Sequence, residues 1–315
     1  RVGLLGPVDA EPVGPRPVGA RGARRGPRPL TGLAMTASDL PATVRTTRTE
    51  PAVPASPEAT LRIDGGVALV ELCRPERGNA LSAALVAALL AAIGRACADP
   101  SVHTLALAGA GRHFCTGFDL GGLEDTSEGD LLMRFVRVEA LLDAVWRAPV
   151  RTVAIATGRA WGAGADLFAA CDERVAAPDA SFRFPGAAFG IVLGTRRLAE
   201  RVGSDRARAW VSTGATLDAT AAAAAGLPSR IAPDPPESDP AIAWWRREAL
   251  PAAPAIARET LAAVRAASRP AGGPGAAALA DADLAALVRS ASRPGLKARI
   301  LAYRERGRAA RPAGP

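Results

Sequence analysis

The sequence predicts an α/β protein whose short strands and helices alternate into a wound sheet. Three observations carry this. Short apolar, β-branched runs recur at residues 67–73, 104–109 and 150–156. Segments with apolar residues at helical spacing lie between and after them. Two glycine-rich loops, 109–117 and 157–164, each follow directly on a buried-strand pattern. The unit, one or two strands and then a helix, recurs about every 40–50 residues without clear identity between repeats.

Taken in order, residues 1–57 alternate Pro, Gly, Arg and Ala without hydrophobic periodicity and are expected to be disordered. They contain no apolar segment of signal-peptide length. Residues 61–73 read as a β-hairpin closed by Gly65-Gly66. A polar loop then ends at Ser82, a helix N-cap candidate. Leu85, Leu89, Ile93 and Cys97 mark the buried stripe of a helix that stops near Asp99-Pro100. Residues 104–109 form a buried strand, and a helix over 131–146 returns to the strand that begins at Val150.

The central stretch is Thr157-Gly-Arg-Ala-Trp-Gly-Ala-Gly-Ala-Asp-Leu-Phe-Ala-Ala-Cys-Asp172. Strand, glycine loop and helix start together aim unpaired backbone N–H groups and the positive end of a helix dipole into one cleft. That device stabilises an oxyanion. A βα turn needing glycine only for packing is the other reading of the same residues. Beyond it, 173–177 and 181–184 read as strands, and short helices start at Thr195, Asp205 and Asp218. Residues 227–232 form a last strand, 233–240 a Pro/Asp linker, and 241–267 and 276–308 a helical C-terminal region that covers the site or makes subunit contacts. The core is thus expected over 58–232 and the helical region over 241–315.

Charge and cysteine content exclude several classes. The net charge is +8, but six arginines against Asp9 and Glu11 place +4 of it in residues 1–34. The remainder does not demand nucleic acid, although it suits anionic small ligands. Cys73, Cys97, Cys115 and Cys171 lie far apart in apolar runs, and only His103 and His113 offer imidazole. Neither a zinc site nor a disulfide framework is expected; reduced, buried thiols in a cytoplasmic protein are. No apolar run reaches membrane-spanning length. Gly109-x-Gly111 and Gly162-x-Gly164 lack a third glycine at dinucleotide spacing.

Several segments in register resemble the enoyl-CoA hydratase/isomerase (crotonase) superfamily. Arg74-Pro-Glu-Arg-Gly-Asn-Ala-Leu-Ser82 is similar to its Arg-Pro…Asn-Ala-Leu segment. Gly109-Ala-Gly-Arg-His-Phe-Cys-Thr-Gly-Phe-Asp-Leu120 is similar to its glycine loop, and 148–172 to its strand, loop and helix. Phe189-Gly-Ile, Arg197-Leu, Arg201-Val-Gly203 and Gly226-Leu-Pro228 continue the match. The resemblance covers roughly residues 60–310. It implies a crotonase-like spiral of ββα units with a C-terminal helical region, a homotrimer or dimer of trimers, and an acyl-CoA thioester as substrate, with no further cofactor. By motif position the family's two oxyanion-hole amides fall on Phe118 and Ala163. The loop of Arg77, Asn79 and Ala80 would meet the adenine end of CoA, and Asp119 and Leu120 its pantetheine side. Gly162 is expected among the substrate-binding residues, and the tryptophans read as packing residues, with Trp161 the best candidate among them for touching an acyl group.

The chain also departs from that family. Hydratases carry two glutamates about twenty residues apart; here the first position holds Asp166, as in dienoyl-CoA isomerases, and the second holds Gly186. The glycine-rich loop after it is shortened to Val192-Leu-Gly-Thr195. Isomerase-type proton shuttling by Asp166 is therefore favoured over two-carboxylate hydration, although an Asp in a first helical turn also serves as a dipole or cap partner. The alternative is a catalytically silent acyl-CoA-binding or partner-subunit protein. Asp172, Glu173 and Asp119 read as structural, His113 as an exposed loop histidine, and Glu124, Asp125, Glu128 and Asp130 as a solvated, mobile acidic loop.

Met35 heads a plausible start, and residues 1–34 read as an over-extended gene start. Mass mapping of the natural protein is expected to find no peptide beginning upstream of Met35; one that does would refute this.

Overall fold

The computed structural model describes residues 57–232, 256–268 and 276–309. The expectations for residues 1–56, for the 233–240 linker and for most of the first C-terminal helical stretch lie outside the described residues.

Strands β1 (Ala59–Asp64) and β2 (Val67–Leu72) form the antiparallel hairpin, with Asp64 opposite Val67 across the Gly65-Gly66 turn. Parallel strands β3 (Thr104–Gly109), β4 (Arg151–Ala156), β6 (Glu173–Ala176) and β9 (Arg230–Ile231) extend it into one sheet of order β1-β2-β3-β4-β6-β9. A second sheet combines β5 (Arg159–Trp161), β7 (Ser181–Arg183) and β8 (Thr216–Asp218). The sequence reading placed 159–161 within a loop and passed over 216–218. Both strands are three residues long and are defined by partners distant in the chain, so no local periodicity marks them.

Helices α1 (Ala83–Ala98) and α2 (Glu128–Trp146) precede α3 (Ala163–Ala170), α4 (Thr195–Val202), α5 (Ser204–Thr213) and α6 (Ala219–Ala224). Ser82 caps α1, its hydroxyl accepting from the Leu85 N–H at 2.9 Å while donating to Glu58. Alternate residues of β3 show why its run is apolar throughout: Leu105 and Leu107 join the core under α1–α3, while Ala106 and Ala108 face the opposite side with Val153 and Ile155.

The C-terminal region comprises α7 (Arg258–Ser268), α8 (Ala276–Ala291) and α9 (Leu296–Ala309). The single helix expected over 276–308 is two, because Pro294 removes an N–H donor and Gly295 turns at φ 75°. Leu287, Leu296 and Ile300 bury themselves against Leu131 and Phe135 of α2. Among the described residues no helix is long and apolar enough to cross a membrane, and no cluster of side chains could hold a metal ion. Cys115 and Cys171 are buried free thiols, whereas Cys73 and Cys97 are only half-buried.

Replacing the cap, Ser82→Ala, is expected to lower unfolding free energy by about 1 kcal/mol, measured by urea denaturation with an unchanged m-value.

Candidate functional site

Two chain segments meet without side chains between them. Gly117, at φ 98°, lies so close to the second loop that an added Cβ would sit 2.7 Å from the Trp161 carbonyl oxygen and 3.4 Å from the Ala163 nitrogen. Gly164, in the first turn of α3, would put a Cβ 2.3 Å from the Cys115 carbonyl oxygen. Only glycine allows these approaches. Leu81 bridges the first loop through its neighbours: its N–H donates to the Gly117 carbonyl at 2.7 Å, and its carbonyl accepts from the Asp119 N–H at 3.2 Å. The Phe118 N–H is left out of that bridge. The Ala163 N–H, at the first position of α3 behind Gly162, has no carbonyl one turn back to meet. Neither amide donates to any described residue, and both residues line one cavity.

That inner chamber, about 160 Å³, is walled by Phe118, Phe135, Phe184, Phe189, Ile191 and Leu193. Its carboxylate among the described residues is Asp166 and its cation Arg183. It adjoins a wider mouth of about 900 Å³, and Leu120, Trp161, Arg183 and Tyr303 line both. The mouth carries Arg77, Arg159, Arg304, Arg306 and Arg308. An apolar inner space and a cationic outer one thus share a neck.

Asp166 is 6% exposed, and its carboxyl accepts no hydrogen bond from the described residues. Gly194, which opens α4 at φ 66°, is pressed against it: a Cβ there would lie 2.4 Å from Asp166 Oδ1. Burial first, and the nearby Glu139 second, push the Asp166 carboxyl well above the usual carboxylate range; Arg197 opposes them. Arg197 is wholly buried and donates to Glu139 at 2.7 Å, with Asp143 and Asp283 each at 3.6 Å. This ionic cluster joins α2, α4 and α8 behind the cavity. Cys115 lies between the two loops, but burial pushes its thiol up to about 12, so it is no nucleophile at neutral pH.

The expected site residues separate into three sets. Phe118, Leu120, Trp161, Gly162, Ala163 and Asp166 line the chamber, and Arg77, Ala80, Asp119 and Leu120 line the mouth. Asn79 lines neither. It is fully buried, its amide donates to the Ala110 and His113 carbonyls at 2.9 and 2.7 Å, and its oxygen accepts from the Arg74 N–H. It holds the loop. Asp119 pairs with Arg74 at 2.9 Å and accepts from the Gly121 N–H, consistent with a structural role. Asp172 accepts from the Thr152 N–H and hydroxyl, and Glu173 pairs with Arg151. His113 is half-buried rather than exposed, its Nδ1 accepting from the Arg159 N–H.

The acidic segment is solvent-exposed, as expected, but only part of it is loop. Glu128 and Asp130 lie in the first turn of α2, where Asp130 accepts from the Ser127 cap hydroxyl, while Glu124 pairs with Arg304 and Lys297 reaches its carbonyl. The expectation missed Tyr303, Arg304, Arg183 and the Glu139–Arg197 pair. Glu139 left a trace: it falls on the same helical face as Leu131, Phe135 and Leu142, where a charge is out of place. Tyr303 left none, since nothing near position 303 points back to a loop 140 residues earlier.

The profile of the enoyl-CoA hydratase/isomerase family matches residues 62–309, and the chain belongs to that family, within the crotonase superfamily. A Mycobacterium leprae protein named a probable enoyl-CoA hydratase is 41% identical over 172 residues, 53% of this chain and 68% of that protein. One from Mycobacterium tuberculosis, named likewise, is 34% identical over 255 residues, 78% of this chain and 97% of that one. The crystal structure of an enoyl-CoA hydratase/isomerase from Bordetella parapertussis aligns with a TM-score of 0.71 at 41% identity, covering 82% of this chain and 100% of the other.

The raised Asp166 pKa has a thermodynamic consequence. The folded state holds this proton more tightly than the unfolded chain, whose aspartates titrate near 3.9. Its contribution is therefore fully present below that pH and is lost as pH rises through the folded value. Asp166→Asn cannot titrate. The Tm of Asp166→Asn minus that of wild type is expected to become more positive as pH is raised from acid to neutral, followed by calorimetry; a pH-independent difference would contradict the shift.

Proposed function

We propose that this chain binds an acyl-CoA thioester with its carbonyl oxygen between the Phe118 and Ala163 amides, and moves a proton on the acyl group with Asp166. What supports the reading is one observation: two N–H donors without partners among the described residues belong to residues lining a cavity whose inner part is apolar and whose mouth is lined by arginines.

The chemistry suits those parts. Taking a proton from the carbon next to a thioester drives negative charge onto the carbonyl oxygen. Two fixed donors out of bulk water stabilise that enolate, each by about 3 kcal/mol. A carboxyl held protonated more strongly than usual is a better proton acceptor once ionised, and can return the proton to a second carbon. With Gly186 where a second acid would stand, one acid–base favours isomerase-type shuttling over two-carboxylate hydration. The apolar walls take the acyl group. Arg77, Arg159, Arg304, Arg306 and Arg308 offer charge to the nucleotide phosphates. The reaction draws on no group beyond the thioester itself, and a homotrimer or dimer of trimers in the cytoplasm belongs to the same proposal.

A second reading is acyl-CoA binding without turnover, favoured by the glycine at position 186. Incubation with a panel of enoyl- and dienoyl-CoA esters separates the two. Turnover by wild type is expected, with Asp166→Asn inactive and Ala163→Pro lowered about 10²- to 10³-fold in kcat. Proline is tolerated at the first helical position, so that substitution removes the donor; because Gly117 packs near this nitrogen, circular dichroism and Tm check that the variant is folded. Tight binding with no turnover in any form would establish the silent reading; turnover unaffected by Asp166→Asn would move the acid–base elsewhere.

A further inference from the structure

The walls of the inner chamber restrict which acyl group it accepts. Its volume, about 160 Å³, is close to that of an engineered apolar cavity of about 150 Å³ that holds one benzene. The Phe118 ring stacks on Phe135 with centroids 4.1 Å apart and planes within 10°. The Arg134 guanidinium covers Phe118 at 4.5 Å, so the Phe118 ring is held between it and Phe135.

Behind this wall there is packed core. Phe135 and Ile191 belong to one cluster with Leu287, Leu296 and Ile300, each at most 2% exposed. Loop 189–192, which completes the wall, is tied to the C-terminal helices: Arg299 Nε donates to the Phe189 carbonyl at 3.1 Å, and the Val192 N–H donates to the Ser290 hydroxyl at 3.0 Å. Lengthening the chamber would break these bonds and open a dry core. On the neck side, Tyr303 packs on Phe189 at 5.1 Å and narrows the way back to the mouth.

We propose that the site selects thioesters of short acyl groups, about four to eight carbons or a single aromatic ring, and rejects long chains. This rests on reading the cleft as a thioester site. Selection arises because each methylene buried in the chamber gains about fourfold in affinity, whereas further carbons meet the Phe135–Ile191 wall or must stay in water.

Calorimetric titration of the full chain with free CoA and with the unreactive acetyl, butyryl, hexanoyl, octanoyl, lauroyl, palmitoyl and phenylacetyl thioesters tests it without turnover. Affinity is expected to rise about fourfold per methylene, peak between butyryl and octanoyl, include phenylacetyl, and fall at least tenfold by palmitoyl. Phe135→Leu and Ile191→Ala each enlarge the chamber and are expected to move the peak to longer chains; the milder Ile191→Ala suffices should the other fail to fold. Affinity that climbs to palmitoyl, ignores chain length, or keeps its peak in a folded enlarged variant would overturn the selection while leaving the thioester reading intact. Binding of neither CoA nor any ester would instead remove the thioester reading on which it stands.

Discussion

The site depends on a contact that side chains would forbid. Gly117 leans on the Trp161 carbonyl and the Ala163 nitrogen, and Gly164 leans on the Cys115 carbonyl, so two backbones pack at a distance where an added Cβ would clash. Because the approach is made by main chain, the amides of Phe118 and Ala163 are fixed by the fold and owe nothing to side-chain rotamers. In the proposed reaction, preorganisation of this kind would need no reordering when charge develops. Phenylalanine and alanine are compatible with these positions because a main-chain N–H does not depend on the side chain it carries; both residues line the chamber.

Around that contact the molecule separates apolar from charged surroundings. The chamber walls are mostly aromatic and aliphatic, and Asp166 stands among them with its charge disfavoured by burial. The compensating ions lie behind it, where Arg197 meets Glu139 in a dry interior. A buried pair of this sort contributes little net stability. Its effect here is electrostatic, because Glu139 raises and Arg197 lowers the proton affinity of Asp166. A second group of cations, Arg77, Arg159, Arg304, Arg306 and Arg308, lines the mouth, where an anionic ligand would meet them.

The C-terminal helices belong to the site as much as the wound sheet does. α8 and α9 back the chamber wall, and Tyr303 and Arg304 of α9 line its neck and mouth. Arg196 of α4 binds Asp283 of α8 through a fork of hydrogen bonds between 2.7 and 3.1 Å, next to the cluster behind Asp166. Loosening these helices would disturb the chamber and the charge balance together.

By itself the sequence determined what is local. The Gly65-Gly66 hairpin, the Ser82 cap, the buried strands at 104–109 and 151–156, and the glycine loops followed by α3 are written in periods of two and 3.6 and in turn chemistry. Motif order then placed Phe118, Ala163 and Asp166, and all three line the same cavity. What only the tertiary structure decided is non-local: the short strands β5 and β8, the inward turn of Asn79, the joining of Glu139 to Arg197, and the arrival of Tyr303 at the neck. Each arises from partners dozens to well over a hundred residues away, and no nearest-neighbour preference encodes such a meeting. The proton affinity of Asp166 is of the same kind, since an aspartate's letter is unchanged by burial and only the packing around it sets its charge.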